Sequence, residues 1–226
     1  MTAIPILEAR NLTRELPGPV PVTLVRDIDL GVGAGEFVAI TGPSGSGKSS
    51  LLYLLGLLDA PSNGEVLVDG LTTHGLNDNQ LADLRLSRFG FVFQFHFLLP
   101  EFNALDNVQI PMRRLGLLGA GEIRDRAEML LQALGLGEHA HKLPEQMSGG
   151  QRQRVAIARA MANDPAVILA DEPTGNLDTK SAENVFSQFR RLATDLGRAV
   201  VVVTHDTELA ARADRRIHLV DGRIVP

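Results

Sequence analysis

The sequence predicts an α/β fold, with a mostly parallel sheet and a helical subdomain inserted at about residues 95–160. Short apolar runs alternate with helix-type patterns, which is the order of elements in strand–helix–strand units. Two of the runs, AVILA at 166–170 and AVVVV at 199–203, are apolar at every position. Such strands are typical of a sheet that helices cover on both faces. Between about 104 and 163 the patterns are helical throughout, which predicts the insertion.

The individual elements follow from local patterns in chain order. Residues 36–41 (EFVAIT) predict a strand, and a glycine-rich turn separates this strand from an apolar helix over 48–58. The dipeptide Asn63-Gly64 marks a turn before the next strand. The remaining predicted strands lie at 65–68, 90–94, 166–170, 199–204 and 216–220. Helices are predicted at 78–88, at 180–196 and, as a short helix, before the last strand. Further helices are predicted within 104–163, on both sides of a loop at 115–121.

The organisation of the chain predicts a single domain over residues 1–226. No internal repeat, low-complexity segment or linker rich in proline or serine divides the sequence. We assign residues 1–94 and 161–226 to the α/β core and about 95–160 to the helical subdomain. Cysteine is absent, which excludes a disulfide framework, a thiolate zinc site and a cysteine nucleophile.

Charge and the length of apolar runs limit the classes of partner. With 22 Lys+Arg against 27 Asp+Glu, the formal net charge is -5, and we expect no nucleic-acid partner. Uncharged stretches such as 49–58 and 89–100 are shorter than the ~20 residues that a membrane-spanning helix needs. The first twenty residues lack a continuous apolar block, so we expect no signal peptide and a cytoplasmic chain. Any role at a membrane then requires a partner.

A phosphate-binding loop is predicted directly after the strand at 36–41. Residues 42–49, GPSGSGKS, match the pattern GxxxxGK[ST], whose glycines turn backbone N–H groups toward phosphate oxygens at the start of a helix. In this pattern Lys48 reaches the β- and γ-phosphates, and the Ser49 hydroxyl binds Mg²⁺. A glycine–serine turn can match by chance, but the flanking strand and helix favour nucleotide binding. The predicted nucleotide-binding residues of this loop are Gly42, Pro43, Ser44, Gly45, Ser46, Gly47, Lys48, Ser49 and Ser50.

Three further polar residues follow buried strands. Asp171 and Glu172 come directly after the strand at 166–170, and burying adjacent carboxylates is costly unless a cation compensates them. With Mg²⁺ and phosphates as that compensation, Asp171 is predicted in the outer coordination sphere of the metal, and Glu172 as the base that polarises the attacking water. The alternative is that both acids cap the turn at Pro173 and are exposed to solvent. His205 follows the strand at 199–204, at the sheet edge where ligands of α/β folds bind, although a lone histidine there is more often structural.

Residues 147–154, MSGGQRQR, resemble the LSGGQ signature of ABC ATPases, which other P-loop enzymes do not carry. The remaining motifs of that family are then matched along nearly the whole chain. They are the Q-loop glutamine Gln94, the Walker B segment 167–172, the D-loop 175–178 (GNLD) and the switch histidine His205. The string ADEPTGNLD (170–178) is similar to the MacB/LolD/FtsE group of the family, and FVFQFHFLLPEFNALDNVQIP (91–111) is most similar to LolD-type members.

The resemblance implies a P-loop NTPase (RecA-like) core with an N-terminal antiparallel β region, and a head-to-tail homodimer with two ATP molecules between the subunits. Each ATP would contact the P-loop of one subunit and the signature segment of the other, namely Ser148, Gly149, Gly150 and Gln151. By its position before a helix, Ser148 is also expected to be a helix N-cap. The resemblance further implies that Gln94 senses Mg²⁺ and the attacking water, and that Asp178 communicates across the dimer. The predicted residues of the metal site are thus Ser49, Gln94 and, in the outer coordination sphere, Asp171. The implied catalytic residues are Glu172, His205 and Gln94, and the implied cofactors are ATP and Mg²⁺.

The function that the resemblance implies is that of an ATPase subunit, peripheral on the cytoplasmic face of the bacterial inner membrane, which drives a permease in lipoprotein release. A MacB-like efflux ATPase and an FtsE-like regulatory ATPase are the alternatives. A soluble ABC ATPase of DNA repair is disfavoured because the residues between 42 and 148 contain no heptad coiled coil. Translation-type members carry two such domains, whereas this chain has one.

Phenylalanine is concentrated in one short stretch, where six of the nine residues of this type fall between 89 and 102. Phe89, Phe91 and Phe93 alternate in a predicted strand, and we expect them to face the core. Beyond Gln94 the apolar character continues, which is typical of a protein contact with a few dominant anchors. The resemblance places the membrane permease here. We therefore predict that it docks at Phe95, Phe97, Leu98, Leu99 and Phe102.

Overall fold

The computed structural model describes residues 4–225. Within that range the strands are β1 (Leu7–Leu16), β2 (Val22–Val32), β3 (Phe37–Thr41), β4 (Asn63–Val68), β5 (Leu71–Thr72), β6 (Phe89–Phe93), β7 (Val167–Asp171), β8 (Ala199–Val203), β9 (Arg215–Val220) and β10 (Arg223–Val225). The helices are α1 (Lys48–Leu55), α2 (Asp78–Arg88), α3 (Ala104–Leu115), α4 (Ala120–Ala133), α5 (Gly149–Ala160), α6 (Thr179–Thr194) and α7 (Thr207–Ala210), with short 3₁₀ turns at Gly137–His139 and Pro144–Gln146.

The main sheet has six strands in the order β10-β9-β3-β8-β7-β6. All neighbouring pairs from β9 to β6 are parallel, and only the terminal β10 is antiparallel. Every residue of β7 and β8 is buried, because α1 covers one face of the sheet and α6 the other. The predicted α/β fold with a mostly parallel sheet is therefore confirmed.

A second, antiparallel sheet has the order β2-β1-β4-β5. It is the N-terminal β region that the family resemblance implies, and its apolar face packs on α1. The local pattern did not reveal β1 and β2, because register shifts interrupt their pairing and break the apolar alternation. Asn11 and Asp27 have positive φ values of 46° and 48° within these strands, so the residues after them change face.

The helices α3, α4 and α5 lie between β6 and β7 in the chain and enclose a separate apolar cluster. α3 begins at an Asn103 N-cap, and α5 begins at Ser148. The predicted loop at 115–121 is shorter in the structure, since α3 continues to Leu115 and α4 already begins at Ala120. No helix among residues 4–225 is long and apolar enough to span a membrane.

One predicted helix is too long. The apolar helix expected over 48–58 ends at Leu55, and Gly56 is its C-cap. A Cβ at position 56 would lie 2.6 Å from the Phe91 ring, and Leu57 adopts a φ of 58°. Glycine is needed at position 56 because β6 and β7 approach closely there, and the helix ends because Leu57 adopts a left-handed conformation.

The phenylalanine residues of β6 form a stacked row. The ring centroids of Phe89 and Phe91 are 6.0 Å apart, and those of Phe91 and Phe93 are 6.1 Å apart. Phe89 is buried and Phe91 packs against the core, as predicted, whereas Phe93 is only half-buried. The row continues beyond the strand, because Phe93 makes an edge contact with Phe97 at 5.5 Å.

Candidate nucleotide-binding site

The carboxyl ends of four adjacent parallel strands form one edge of the main sheet. In register across the sheet, Ile40 of β3 pairs with Val203 of β8, Val203 with Asp171 of β7, and Asp171 with Phe93 of β6. The segments that follow these four residues are those in which the sequence predicts the phosphate loop, His205, Glu172 and Gln94. The topology therefore brings candidate residues from four distant parts of the chain to one edge.

The P-loop follows β3 and wraps closely against two neighbouring strands. A Cβ at Gly42 would lie 2.1 Å from the Leu219 carbonyl oxygen, and a Cβ at Gly47 would lie 2.1 Å from the Leu24 carbonyl oxygen. Both glycines also have positive φ values, 147° and 96°, which other residues rarely adopt. Only glycine therefore fits at these two positions. The two glycines allow the loop to pack closely against β2 and β9.

The P-loop presents positive charge at the start of α1. Gly47 is the N-cap of this helix and has no side chain, so the first N–H groups of the helix remain available to an anion. The Lys48 ammonium folds back over the loop and donates to the carbonyl oxygens of Gly42, at 3.0 Å, and Pro43, at 2.8 Å. It is thus held directly above the loop that would cradle phosphate.

Ser49 and Asp171 meet at the base of the site. The Ser49 hydroxyl donates to Asp171 Oδ1 at 3.0 Å, and the Asp171 side chain is buried. Burial, and then the charge of Asp171, raise the pKa of the nearby Tyr53 phenol, which remains a protonated neighbour of the carboxylate. No group of three His, Cys, Asp or Glu side chains suited to a metal occurs among residues 4–225. Two protein oxygens side by side suit Mg²⁺, which usually takes its other ligands from phosphates and water.

Glu172 and His205 form the second pair. His205 Nδ1 lies 2.8 Å from Glu172 Oε2, and the backbone N–H of His205 donates to the same oxygen at 3.3 Å. Glu172 has a φ of 46°, a conformation that costs about 1–3 kcal/mol in a residue other than glycine. The strain is offset by these contacts and by a hydrogen bond from its own N–H to Val203, and it directs the carboxylate toward His205. An oriented carboxylate at this position can accept a proton from water.

The structure places Gln94 against the D-loop (residues 175–178). Gln94 Nε2 donates to Asn176 Oδ1 at 3.4 Å, and a Cβ at Gly175 would lie 3.0 Å from the same Nε2 atom. Asp178 is the N-cap of α6 and accepts hydrogen bonds from the Ser181 N–H at 3.0 Å and hydroxyl at 2.7 Å. These two hydrogen bonds hold the pKa of Asp178 below its ordinary value, and the bond from the Ser181 hydroxyl has the larger effect. Both side chains are thus held by contacts of the D-loop and its following helix.

The signature segment caps its own helix. Ser148 Oγ accepts from the Gln151 N–H at 3.2 Å, and Gln151 Oε1 accepts from the Ser148 N–H at 2.8 Å, so the expected N-cap is confirmed as a capping box. A Cβ at Gly150 would lie 2.9 Å from Ser181 Oγ. These neighbours lie at the start of α6, whereas those of the P-loop lie on β2, β7 and β9. Within one chain, the signature segment and the P-loop therefore contact different elements.

Residues 95–102, which we call the aromatic segment, leave β6 and expose large apolar side chains. Phe95 is 65% exposed and Phe97 is 63% exposed. Their rings are 6.4 Å apart, so they form one continuous apolar surface. Leu98 differs from its neighbours, because it packs partly against the apolar cluster of α3–α5.

Polar side chains from α3 and α5 hold the backbone of the aromatic segment. Arg159 of α5 donates to the carbonyl oxygens of His96, at 2.7 Å, and Phe97, at 2.6 Å. Asn107 of α3 is fully buried and bonds both to the Leu99 N–H, at 2.8 Å, and to its carbonyl oxygen, at 3.1 Å. Neither residue is among those predicted from the sequence. Asn107 could have been noticed in the sequence, since it is a polar residue between the apolar Leu105 and Val108 of α3.

Comparison with known proteins decides the family. The profile of the family described as ABC transporter matches residues 25–175. The chain belongs to this family. It is an ABC-type ATPase, and the resemblance predicted from the motifs is confirmed.

Relatives and solved structures of ABC ATPases cover nearly the whole chain. It is 53% identical over 218 residues to the lipoprotein-releasing system ATP-binding protein LolD 1 of Chlorobium chlorochromatii, with 96% of this chain and 89% of that protein covered. It is 50% identical to the macrolide export ATP-binding/permease protein MacB 1/2 of Paracoccus denitrificans, with 99% of this chain and 33% of that protein covered. The ABC transporter cassette MJ0796, solved as a dimer, superposes with a TM-score of 0.90 at 42% identity over 97% of both chains. A second structure of that cassette is described as a post-hydrolysis state with ADP and Pi.

The P-loop geometry predicts the effect of removing Lys48. In Lys48→Ala the ammonium above the loop is lost, and we expect MgATP affinity to fall by at least about tenfold, as is typical when a charged partner of phosphate is removed. Isothermal titration calorimetry with MgATP measures this. Lys142→Ala, which removes a lysine outside the loop, is the matched control. Equal affinities of the two variants would contradict the assignment of Lys48.

Proposed function

We propose that the chain hydrolyses ATP with Mg²⁺ as half of a head-to-tail homodimer, and that this cycle drives a membrane permease that releases lipoproteins. The observation that carries the proposal is the convergence of the P-loop, the Ser49–Asp171 pair and the Glu172–His205 pair at the carboxyl ends of adjacent strands. The identity to lipoprotein-releasing ATPases supports the choice of transporter.

The chemistry of the site suits phosphoryl transfer to water. Ser49 would hold Mg²⁺ together with Gln94, and Asp171 would orient the metal-bound groups. The bound metal supplies charge stabilisation at the phosphates. Glu172 accepts the proton of the attacking water, and His205 holds its carboxylate in place through the 2.8 Å contact. Lys48 and the N–H groups of the P-loop stabilise the negative charge of the phosphates.

The second half of each ATP site comes from the other subunit. The glycines after Ser148 leave the first turn of α5 without bulky side chains, so its N–H groups can approach a γ-phosphate. In the dimer we propose, Ser148, Gly149, Gly150 and Gln151 of one subunit face the P-loop of the other. Asp178, at the start of the α6 helix that contacts the signature segment, then lies at the subunit boundary. In this arrangement each subunit contributes a different part of each ATP site.

The aromatic segment is proposed as the docking surface of the permease, which positions the chain at the cytoplasmic face of the inner membrane. Exposed aromatic anchors dominate the energy of protein contacts. Here Phe95 and Phe97 are presented on a backbone already fixed by Arg159 and Asn107. A preformed loop loses little conformational entropy on binding, which favours affinity.

Macrolide efflux is the second candidate, because the MacB relative is 50% identical. The two functions differ in the membrane partner and its cargo, and the site geometry is common to both. Reconstitution with the cognate permease and a lipoprotein, with transfer to an acceptor protein as the readout, distinguishes them. ATP-dependent lipoprotein release supports our proposal, and ATP-dependent macrolide export without such release supports the alternative.

Replacing the proposed base tests the hydrolytic role. In Glu172→Gln the shape is kept and the proton acceptor is lost, so turnover should fall by about 10²–10⁴. ATP binding should survive, and gel filtration should then show an ATP-stabilised dimer. Glu208→Gln, which changes an exposed acid of α7, is the control and should hydrolyse ATP normally. Normal turnover in Glu172→Gln, or no dimer with ATP, would contradict the proposal.

Removing the exposed rings tests the docking surface. The double variant Phe95→Ala/Phe97→Ala keeps Leu98, which packs inward, and should bind MgATP normally while it loses the permease. The measurement is recovery of the chain with tagged permease in detergent, which we expect to fall at least about tenfold because central aromatic anchors are removed. Val20→Ala/Leu71→Ala removes two apolar side chains that are at least as exposed elsewhere and is the matched control. Undiminished recovery of the phenylalanine variant would exclude this surface.

A further inference from the structure

The helix α5 packs closely along β6, which is an edge strand of the main sheet. A Cβ at Gly90 would lie 2.5 Å from the Ala160 carbonyl oxygen, so glycine is needed where the end of the helix meets the start of the strand. Further along, Ile157 of α5 and Val92 of β6 belong to one apolar cluster. Close packing therefore fixes α5 relative to the end of β6.

Gln153 lies four residues before Ile157, on the face of α5 that packs on β6. It is only 1% exposed, and among the buried residues of this helix it alone is polar. Its Nε2 amide donates to the carbonyl oxygen of Phe93, the last residue of β6, at 3.2 Å. Removing this donor would leave a carbonyl group at the end of the strand without its partner, which is unfavourable away from water.

The Gln153 side chain also neighbours His96, on the other side of Gln94. Burial lowers the pKa of the His96 imidazole most, followed by the charge of Arg152, and the adjacent Gln153 amide opposes them. Gln153 Oε1 and His96 Nδ1 are both buried, and within residues 4–225 neither atom has a hydrogen-bond partner. A small adjustment would let these two groups bond to each other, because a neutral imidazole can donate from Nδ1.

The turn that carries Gln94 is attached to α5 on both sides. Gln153 holds the Phe93 carbonyl oxygen, directly before Gln94, and Arg159 holds the His96 carbonyl oxygen after it, at 2.7 Å. The same helix carries the signature segment at its start. The position from which the Gln94 side chain extends is therefore set by α5, and Gln153 supplies the contact nearest to it in sequence.

We propose that Gln153 is a positioning residue for Gln94, because it holds the turn from which Gln94 reaches the Mg²⁺ of its own ATP site. The inference rests on the proposed function, in which Gln94 helps to hold that metal. Partners behind a metal-binding group fix its orientation, and their loss weakens the metal site. Since α5 begins with the signature segment, Gln153 also connects the part of the chain that faces the partner's ATP to the part that serves its own.

The first measurement is the gain in ATP affinity that Mg²⁺ provides. Isothermal titration calorimetry compares ATP with MgATP on Glu172→Gln chains, in which slow turnover permits a binding measurement. Gln153→Met keeps the length of the side chain and removes the donor. We expect unchanged binding of metal-free ATP and a gain from Mg²⁺ that is at least about tenfold smaller. Gln109→Met is the matched control, since Gln109 is also a buried glutamine and bonds to Arg113 of its own helix.

A mixture of two inactive chains distinguishes positioning of Gln94 from damage to the signature helix. In a dimer of Lys48→Ala with Ser148→Arg, the intact site takes its P-loop and Gln94 from the Ser148→Arg chain and its signature segment from the other. Gln153→Met on the Ser148→Arg chain should lower the ATPase activity of the mixture by at least about tenfold. The same change on the Lys48→Ala chain should leave this activity unaltered, because that chain contributes only its signature segment.

Loss of activity from both placements, or from neither, would overturn the inference. Damage to α5 would act through the signature segment as well, and a residue without a role would act in neither chain. An undiminished gain from Mg²⁺ in the calorimetry would overturn it too. If Gln153→Met does not fold, Gln153→Leu takes its place in both measurements. A mixture that is inactive even without the Gln153 change would refute the proposed dimer instead, and the calorimetry would then decide on Gln153 alone.

Discussion

Parallel pairing of β3, β8, β7 and β6 is the constraint on which the whole site depends. The last residues of these strands lie in register, so four sequence-distant turns leave the sheet at the same level. The P-loop then reaches Asp171 through the Ser49 hydroxyl, and Glu172 reaches His205, without any long flexible connection. The positions of these groups are set by buried β-strands, which are among the most rigid parts of a fold.

Polar side chains inside the helical region have a comparable role at the docking surface. The aromatic segment has an irregular backbone, with a φ of 47° at Phe97, and its carbonyl oxygens need partners from elsewhere. Arg159 and Asn107 supply them from α5 and α3. Because Ser148 begins α5 and Arg159 lies in its last turn, the same helix connects the proposed contact with the partner's ATP to the proposed contact with the permease.

Much of the fold and site could be predicted from the sequence, because the informative residues are local. The P-loop pattern, the apolar runs of β7 and β8 and the N-cap at Ser148 are each visible in a few consecutive residues. The strands β1 and β2 could not be found, since bulges at Asn11 and Asp27 break their alternation. The contacts of Gln94 with the D-loop and of Arg159 with the aromatic segment depend on tertiary packing, which no local pattern records.

The central claim is that each ATP site joins the P-loop of one chain to the signature segment of another. Mixing two inactive variants, Lys48→Ala and Ser148→Arg, tests it most directly. In an equal mixture half of the dimers pair unlike chains, and each of these holds one intact site of two, so ATPase activity should return to about a quarter of the wild-type rate. A mixture that stays as inactive as the separate variants would show that the signature segment does not complete the site of a second chain.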